Sequence, residues 1–200
     1  MGNSGRSLII TFLVIVAILL LALIGLLSYN IWVLGQDDLI EDSATLYLVD
    51  SSVRMDEPLG DGDTTRLEAA QRFVSQSAIR LPETEIISVH VFGSGASQVG
   101  CEDTMLLVPL SAGNQNAVVD RVGGLQAASP DAPLVKAALE AIEELVDTQP
   151  DFSGTVQLII VTGGDGTCND DLEQIVRTAN FYGLDLEIIF VPVNSNREAG

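Results

Sequence analysis

Basic residues are scarce in this chain. Nine lysines and arginines stand against 28 aspartates and glutamates, so the formal net charge is −19. A surface of this sign excludes proteins that bind nucleic acid or anionic lipid through a general positive field. Cysteine is rarer still, since Cys101 and Cys168 are the only two. Two thiols do not complete a structural zinc site, which takes four ligands, whereas in an oxidising compartment they form a candidate disulfide.

Motifs of nucleotide-binding and hydrolytic enzymes are also missing. The glycine-rich stretch at residues 93–100 does not follow the G-x-G-x-x-G spacing, and no G-x-S-x-G elbow occurs. The single histidine, His90, lies inside an apolar run, where we expect a core side chain with a hydrogen-bond partner rather than a catalytic base. Glu143 and Glu144 indicate a solvated helix face. The sequence therefore favours a protein that is not an enzyme, and we expect no catalytic residue, no cofactor and no small-molecule substrate.

One long apolar run is present, at residues 8–27, and it contains no charged residue. Its length suffices to cross a bilayer as a helix. A cleaved signal peptide is the alternative, but no small-x-small cleavage site follows the run, and Tyr29 and Trp32 suit the membrane interface. We therefore predict a single-pass anchor helix over residues 8–34, which places the protein in the cell membrane.

The charges on either side of this run predict its orientation. Arg6 precedes it, and Asp37 and Asp38 follow it. Because positively charged flanks stay in the cytoplasm, we expect residues 1–7 to be cytoplasmic and residues 35–43 to form an acidic linker. The remainder of the chain would then lie in the periplasm or at the cell exterior, where other membrane or extracytoplasmic proteins are its expected partners.

Apolar strands and amphipathic helices alternate through that remainder. The predicted strands cover residues 45–49, 86–92, 104–110, 156–161 and 186–193. The first predicted helix begins after a cap at Thr64 or Thr65. The other predicted helices cover residues 115–122, 134–146 and 171–182. Near-continuous apolar strands separated by helices indicate an α/β domain with a doubly wound, mostly parallel sheet that is covered on both faces. We assign residues 44–196 to this domain and residues 197–200 to a tail.

The first predicted strand ends in a cluster of polar side chains, Asp50, Ser51 and Ser52. In open α/β sheets the loops at the carboxyl ends of the strands converge on a ligand crevice. Carboxylate and hydroxyl oxygens are the ligands that hard divalent cations prefer. Asp50 and Ser52 are therefore candidate metal ligands at this edge of the sheet.

Four loop motifs together resemble the von Willebrand factor A (VWA) family, over about residues 44–195. They are Asp50-Ser51-Ser52-Val53-Arg54-Met55, similar to D-x-S-x-S-M, then Phe92-Gly93-Ser94, then Ala132-Pro133-Leu134 in the place of T-P-L, and Ile160-Val161-Thr162-Gly163-Gly164 in the place of a strand ending in T-D-G. The resemblance implies a Rossmann-like fold and a metal-ion-dependent adhesion site. Likeness to a bacterial secreted branch implies in addition a disulfide between Cys101 and Cys168 that joins two loops at the top of the sheet.

The adhesion site implied by this resemblance is degenerate here. Asp50 and Ser52 match two of the five ligand positions, and the other three positions hold Arg54, Ala132 and Gly163, which have lost the oxygen. We assign these three residues to partner contact. Arg54 either pairs with Asp50 as a built-in surrogate for the metal or points into solvent, which is the usual position of a loop arginine.

Two aspartates close in sequence to the lost ligand positions could replace the missing metal ligands. Asp131 and Asp165 both lie beside turn residues, so ordinary turn chemistry explains them equally well. Of Ca²⁺ and Mg²⁺, calcium suits such a site better because it tolerates irregular geometry. The favoured function is a metal-independent interaction module, an accessory subunit of a membrane complex; the alternative is a Ca²⁺- or Mg²⁺-dependent adhesion or sensor protein that binds an acidic ligand.

The sequence after the last predicted strand indicates that this strand lies at an edge of the sheet. Domains of the resembled family continue beyond it with another helix and strand, and no such pattern follows residue 193 here. We therefore expect an uncovered sheet edge, which proteins usually pair or cover. Either a protein partner covers this edge or the tail folds back over it.

Overall fold

The computed structural model describes residues 20, 43–60, 62–95, 100–164, 166–168 and 171–193. The chain divides into two units, Met1–Glu41 and Asp42–Gly200, and the description below concerns the second. Within the described residues no helix is both long and apolar enough to cross a membrane. The predicted anchor apart from Leu20, nearly all of the linker, the tail and Asp165 lie outside the described residues.

The domain is built on a five-stranded sheet with the strand order β3-β2-β1-β4-β5. The strands are β1 (Ser43–Asp50), β2 (Ile86–Phe92), β3 (Thr104–Ala112), β4 (Thr155–Thr162) and β5 (Asp185–Pro192). All neighbours are parallel except β3, which pairs with β2 in the antiparallel direction. The predicted α/β class with a mostly parallel, Rossmann-like sheet is thus confirmed. Because β1, β2 and β4 are parallel, their carboxyl ends lie at the same edge.

In the described part of the domain four α-helices flank the sheet: α1 (Arg66–Arg80), α2 (Gln115–Val122), α3 (Leu134–Thr148) and α4 (Glu173–Tyr182). Helix α1 begins with a capping box, in which the Thr65 hydroxyl accepts from the Glu68 N–H at 3.1 Å and the Thr65 N–H donates to the Glu68 carboxylate at 3.0 Å. This arrangement satisfies two backbone groups that the first helical turn leaves without partners. The predicted cap at this helix is confirmed as Thr65.

Apolar side chains cover both faces of the sheet. Leu46 and Leu48 of β1 pack into a cluster with α3 and α4, and their neighbours Tyr47 and Val49 pack into a second cluster with α1 and α2. Successive side chains of a strand point to opposite faces. A strand that is buried on both faces therefore reads as a continuous apolar run, which is the pattern that β1 shows in the sequence.

Strand β5 lies at one edge of the described sheet, where it pairs only with β4. Its residues alternate between exposed and half-buried, in contrast to the buried run of β1. Phe190 on this strand is 48% exposed, and Phe181 at the end of α4 is 82% exposed. The uncovered edge expected from the sequence is therefore present in the described part of the domain.

The single histidine is buried, as expected, and its partner is a glutamate of α3. His90 Nε2 donates to Glu144 Oε2 at 2.8 Å, and the Leu110 N–H donates to Glu144 Oε1 at 2.9 Å. The predicted solvated face is correct for Glu143, which is exposed, and wrong for Glu144, whose side chain is only 15% exposed. The reason is that α3 packs against β2 and β3 with Glu144 turned towards them.

We expect this pair to make the domain sensitive to acid. Burial by itself raises the pKa of Glu144, but the hydrogen bonds from His90 and the Leu110 N–H outweigh it and lower that pKa below its ordinary value. A lowered pKa stabilises the fold above the ordinary value of 4.5, and the contribution is lost as the pH falls through the lowered pKa. Glu144→Gln should cost about 2 kcal/mol of unfolding free energy at neutral pH and progressively less in acid.

Urea unfolding of the full chain at neutral and acid pH measures this difference. Glu143→Gln is the matched control, because its side chain is the exposed neighbour on the same helix and should leave the unfolding free energy unchanged at both pH values. Equal losses in the two variants would show that the buried pair has no stabilising role.

Candidate functional site

The crevice lies where the loops after β1, β2 and β4 meet the loop that precedes α3. The first loop is held against the segment before α3 by three hydrogen bonds: Val53 N–H to Ser129 O at 2.8 Å, Ala128 N–H to Ser51 O at 3.0 Å, and Ser51 Oγ–H to Gln126 O at 2.6 Å. Two of these bonds join backbone groups and the third joins a side chain to a backbone carbonyl, so groups of the chain itself hold the two loops together.

Gly93, at the end of β2, allows these loops to approach each other. Its φ of +73° is a conformation that side-chain-bearing residues rarely adopt. A Cβ atom at this position would lie 2.7 Å from the Asp131 carbonyl oxygen and 3.0 Å from the Ser52 nitrogen. The position therefore requires glycine both for its backbone angle and for the space between two loops.

Asp103 holds the loop that follows Gly93, and sequence reasoning missed this role. Its carboxylate is fully buried and accepts from the Gly95 N–H at 2.7 Å, while its backbone carbonyl accepts from the Gly93 N–H at 3.0 Å. The only signal in the sequence is an aspartate directly before an apolar strand, which is too common to identify a buried acceptor.

Asp50 is fully buried, and protein donors surround its carboxylate. Oδ1 accepts from the Ser52 N–H at 2.9 Å, and Oδ2 accepts from Thr162 Oγ1 at 2.8 Å and from the Gly163 N–H at 3.4 Å. The Arg54 guanidinium lies 4.0 Å from Oδ2, with its side chain 30% exposed. Arg54 thus stands beside Asp50, although this long separation makes it a weaker partner than Thr162.

Thr162 is the second residue that sequence reasoning missed. Its hydroxyl lies within donor distance of two acceptors, Asp50 Oδ2 at 2.8 Å and the Gly164 carbonyl oxygen at 2.7 Å, and it accepts from the Gly164 N–H at 3.2 Å, so it joins the loop after β1 to the loop after β4. The sequence signal was a hydroxyl residue at the end of β4, next to the glycine that replaces the family's aspartate.

Ser52 retains a hydroxyl at the position where the resembled family has a metal ligand. The residue is fully buried, and its Oγ has no hydrogen-bond partner in the described structure. Buried hydroxyls usually have a partner, so this atom favours a small polar ligand in the crevice.

Side chains of the first loop and of α1 fill the space beside Gly163. A Cβ atom at Gly163 would lie 2.9 Å from Met55 Sδ and 3.4 Å from Arg66 Cδ. Arg66 is held in place by an ion pair with Glu57 at 2.8 Å. An aspartate at position 163 would therefore displace Met55, and sequence reasoning did not identify Arg66 as part of this site.

Ala132, which we assigned to partner contact, is fully buried. Its N–H donates to Thr167 Oγ1 at 2.8 Å, and its carbonyl accepts from the Thr167 N–H at 3.3 Å. Ala132 therefore joins the loop before α3 to the loop after β4 inside the domain, and its side chain is not accessible to a partner. The accessible residues of the crevice include Arg54, Gly163 and Gly164.

A disulfide joins Cys101 to Cys168, as the family resemblance implied, with a Cα–Cα distance of 5.5 Å. It links the short 3-10 helix Gly100–Glu102 to the loop after β4. The carboxylate of Asp131 lies close to this bond, since one of its oxygens and both sulfur atoms are within 4.8 Å of one another. Asp165, the other proposed replacement ligand, lies outside the described residues.

The described residues do not fit a magnesium ion at the family's position. Mg²⁺ requires near-octahedral oxygen coordination and loses its water reluctantly. Asp50 already accepts from Ser52, Thr162 and Gly163, and the guanidinium of Arg54 adds a positive charge nearby. The aspartate that would complete such a site has no room at Gly163 without displacement of Met55.

Comparison of the chain with models of known protein families and with curated proteins gave no match. The likeness to the VWA family therefore remains a prediction that rests on the loop motifs.

Proposed function

We propose that this chain is a membrane-anchored, extracytoplasmic protein–protein interaction module of VWA-like type that works without a bound metal. It has no catalytic role in this proposal and serves as an accessory subunit of a membrane complex. The predicted N-terminal helix attaches it to the membrane, and its partners are other membrane or extracytoplasmic proteins.

One observation carries the metal-independent part of this proposal: the chain itself satisfies the Asp50 carboxylate. A buried carboxylate is costly unless hydrogen bonds or positive charge compensate it. Here the Ser52 and Gly163 N–H groups, the Thr162 hydroxyl and the Arg54 guanidinium provide that compensation. In this role Arg54 replaces the cation, which favours the surrogate hypothesis over an arginine that points only into solvent.

The loops around Arg54 form the first contact surface in the proposal. Val53 is 46% exposed, Arg54 is partly exposed and Gly164 is exposed, so the surface combines an apolar side chain, a guanidinium and accessible backbone. The inter-loop hydrogen bonds and the disulfide hold these groups in place before a partner arrives. Loops presented by a rigid sheet are common binding surfaces.

The β5 edge forms the second contact surface. Among the described strands its outer backbone edge has no partner, and the rings of Phe181 and Phe190 are exposed; proteins usually cover such features. A subunit of a membrane complex would bury this edge against its neighbour, and this is the accessory role that we propose.

A second candidate is a Ca²⁺- or Mg²⁺-dependent adhesion or sensor protein that binds an acidic ligand. The unpartnered, buried hydroxyl of Ser52 beside Asp50 is the observation that favours it. The two candidates differ in one measurable property, which is whether partner binding requires a divalent cation.

Co-purification and calorimetry with the full chain test the proposal. We expect the tagged chain, extracted from its own membrane in mild detergent, to retain its partner in excess EDTA, and Arg54→Glu to lower the recovered partner about tenfold. Calorimetry of the wild type should give no heat of Mg²⁺ or Ca²⁺ binding at millimolar concentration. Arg54→Ser, which restores a hydroxyl and removes the guanidinium, should lower stability by about 1 kcal/mol and raise Mg²⁺ affinity.

Arg72→Glu is the matched control, because it makes the same charge change at an exposed position of α1 away from the crevice. It should leave partner recovery unchanged. Loss of the partner in EDTA would favour the metal-dependent candidate. If Arg54→Ser changed neither stability nor Mg²⁺ affinity, the surrogate role of Arg54 would be refuted.

A further inference from the structure

We propose that reduction of the Cys101–Cys168 disulfide creates a Zn²⁺ site from the two cysteine thiolates, the carboxylate of Asp131 and one water. The site would be distinct from the crevice around Asp50 and does not depend on the proposed function. In this proposal the metal replaces the disulfide as the link between the same two loops.

The ligand atoms are already gathered. A carboxylate oxygen of Asp131 and the sulfurs of Cys101 and Cys168 all lie within 4.8 Å of one another. In a tetrahedral zinc site with Zn–S of about 2.3 Å and Zn–O of about 2.0 Å, neighbouring ligand atoms are about 3.5 to 3.8 Å apart. Reduction frees the sulfurs to separate to this spacing by side-chain rotation, and the carboxylate needs only a small shift.

The backbone of Asp131 is held in place by its surroundings. Its N–H donates to Ser129 Oγ at 3.3 Å, and its carbonyl packs against Gly93 at the end of β2. Its Oδ2 lies 4.0 Å from the position of a Cβ atom built at Gly100, which is ordinary van der Waals contact, so the carboxylate lies beside the residue that precedes Cys101. A ligand residue whose backbone is already held in place loses less conformational entropy when the metal binds.

Solvent reaches this cluster. Cys101 is exposed, and a cavity of about 310 Å³ adjoins both cysteines. Both acidic residues that the structure describes on the cavity wall already have partners, since Glu102 pairs with Lys136 at 3.0 Å and Asp171 pairs with Arg177 at 2.6 Å. Water is therefore the fourth ligand in this proposal, and thiolate with carboxylate is a donor set that suits Zn²⁺ better than Ca²⁺ or Mg²⁺.

A dithiol can reduce the Cys101–Cys168 disulfide and so prepare the site for the metal. The dithiol passes two electrons and two protons to the disulfide, so the S–S bond breaks, two cysteine thiols form and the dithiol becomes a cyclic disulfide. Zn²⁺ then displaces both thiol protons to the solvent and forms two Zn–S bonds and one Zn–O bond. In the reverse path a cyclic disulfide takes two electrons from the zinc-bound thiolates and two protons from the solvent, so the S–S bond re-forms, the cyclic disulfide becomes a dithiol and the ion is released.

Metal titration of the full chain in detergent micelles tests this proposal. The protein is reduced with a dithiol, and the excess dithiol is then removed under anaerobic conditions. Co²⁺ serves as a spectroscopic probe for the Zn²⁺ position. We expect the reduced chain to bind one equivalent of Co²⁺ with tetrahedral, thiolate-ligated absorption that Zn²⁺ abolishes, and the oxidised chain to show no such spectrum. Asp131→Asn should weaken binding at least about tenfold, and the Cys101→Ser/Cys168→Ser variant should abolish it.

Two control variants test whether Co²⁺ binds at the cysteines and Asp131 and not elsewhere on the chain. Asp151→Asn removes an exposed acid elsewhere, and Ser52→Ala removes the hydroxyl of the crevice; both should leave Co²⁺ affinity unchanged. Circular dichroism monitors the fold, and Zn²⁺ should raise the melting temperature of the reduced chain but not of the oxidised chain. Absence of a thiolate-ligated spectrum, full affinity in Asp131→Asn, or no change in melting temperature would each overturn the proposal.

Discussion

Replacement of Gly93 by alanine is expected to destabilise the domain by about 3 kcal/mol. Two costs combine at this position. The backbone has a φ of +73°, which disfavours a side chain, and the new Cβ would lie 2.7 Å from the carbonyl oxygen of Asp131. Because backbone atoms cannot rotate away as a flexible side chain can, the end of β2 and the loop that precedes α3 would have to separate. Urea unfolding of the full chain measures the loss.

Gly113→Ala isolates the contribution of the collision. Gly113 has the same φ of +73°, but no atom lies within 4 Å of a Cβ built there. This variant should lose only about 1 kcal/mol, which is the cost of the backbone conformation alone. Equal losses in Gly93→Ala and Gly113→Ala would mean that the contact between the two loops contributes nothing to stability.

Removal of the disulfide is expected to have an effect of similar size. Cys101 and Cys168 are separated by 67 positions, and a cross-link that closes a loop of this length stabilises by about 4 kcal/mol in the chain-entropy description. The Cys101→Ser/Cys168→Ser variant should lose most of this free energy of unfolding relative to the oxidised wild type. Comparison of both proteins in urea, without reductant or metal, gives the value.

The corresponding control is the reduced wild type in the presence of a chelator. It lacks the cross-link and any bound metal, so it should unfold at nearly the same urea concentration as the Cys101→Ser/Cys168→Ser variant. If the oxidised wild type were no more stable than the variant, the expected stabilising role of the cross-link would be contradicted. The hydrogen bonds between the loops would then hold the loops together without the disulfide.

Local pattern was enough to predict most of the fold. The apolar runs of β1, β2 and β4 were predicted because a strand buried on both faces has no polar alternation. A cap at Thr64 or Thr65 was predicted for α1 from the residues at its start, and the structure places the capping box, which spans only four residues, at Thr65. The β5 edge was also expected.

The candidate site was predictable only in outline. Asp50 and Ser52 were placed correctly at the end of β1 by the rule that strand ends carry ligand loops. The disulfide came from the family resemblance rather than from spacing. Ala132 was assigned to contact because its position in the resembled family carries a ligand, and the structure buries it against Thr167 instead.

By itself, therefore, the sequence determined the alternation of strands and helices, the edge where the polar loops meet and the net negative charge. Only the tertiary structure decided that Thr162 bonds to Asp50, that Met55 and Arg66 occupy the space beside Gly163, and that Glu144 pairs with His90. The physical reason is separation along the chain: Asp50 and Thr162 stand 112 positions apart. Hydrophobic periodicity reports which face of an element is buried, but which polar groups then meet depends on the register and packing of elements that are distant in sequence.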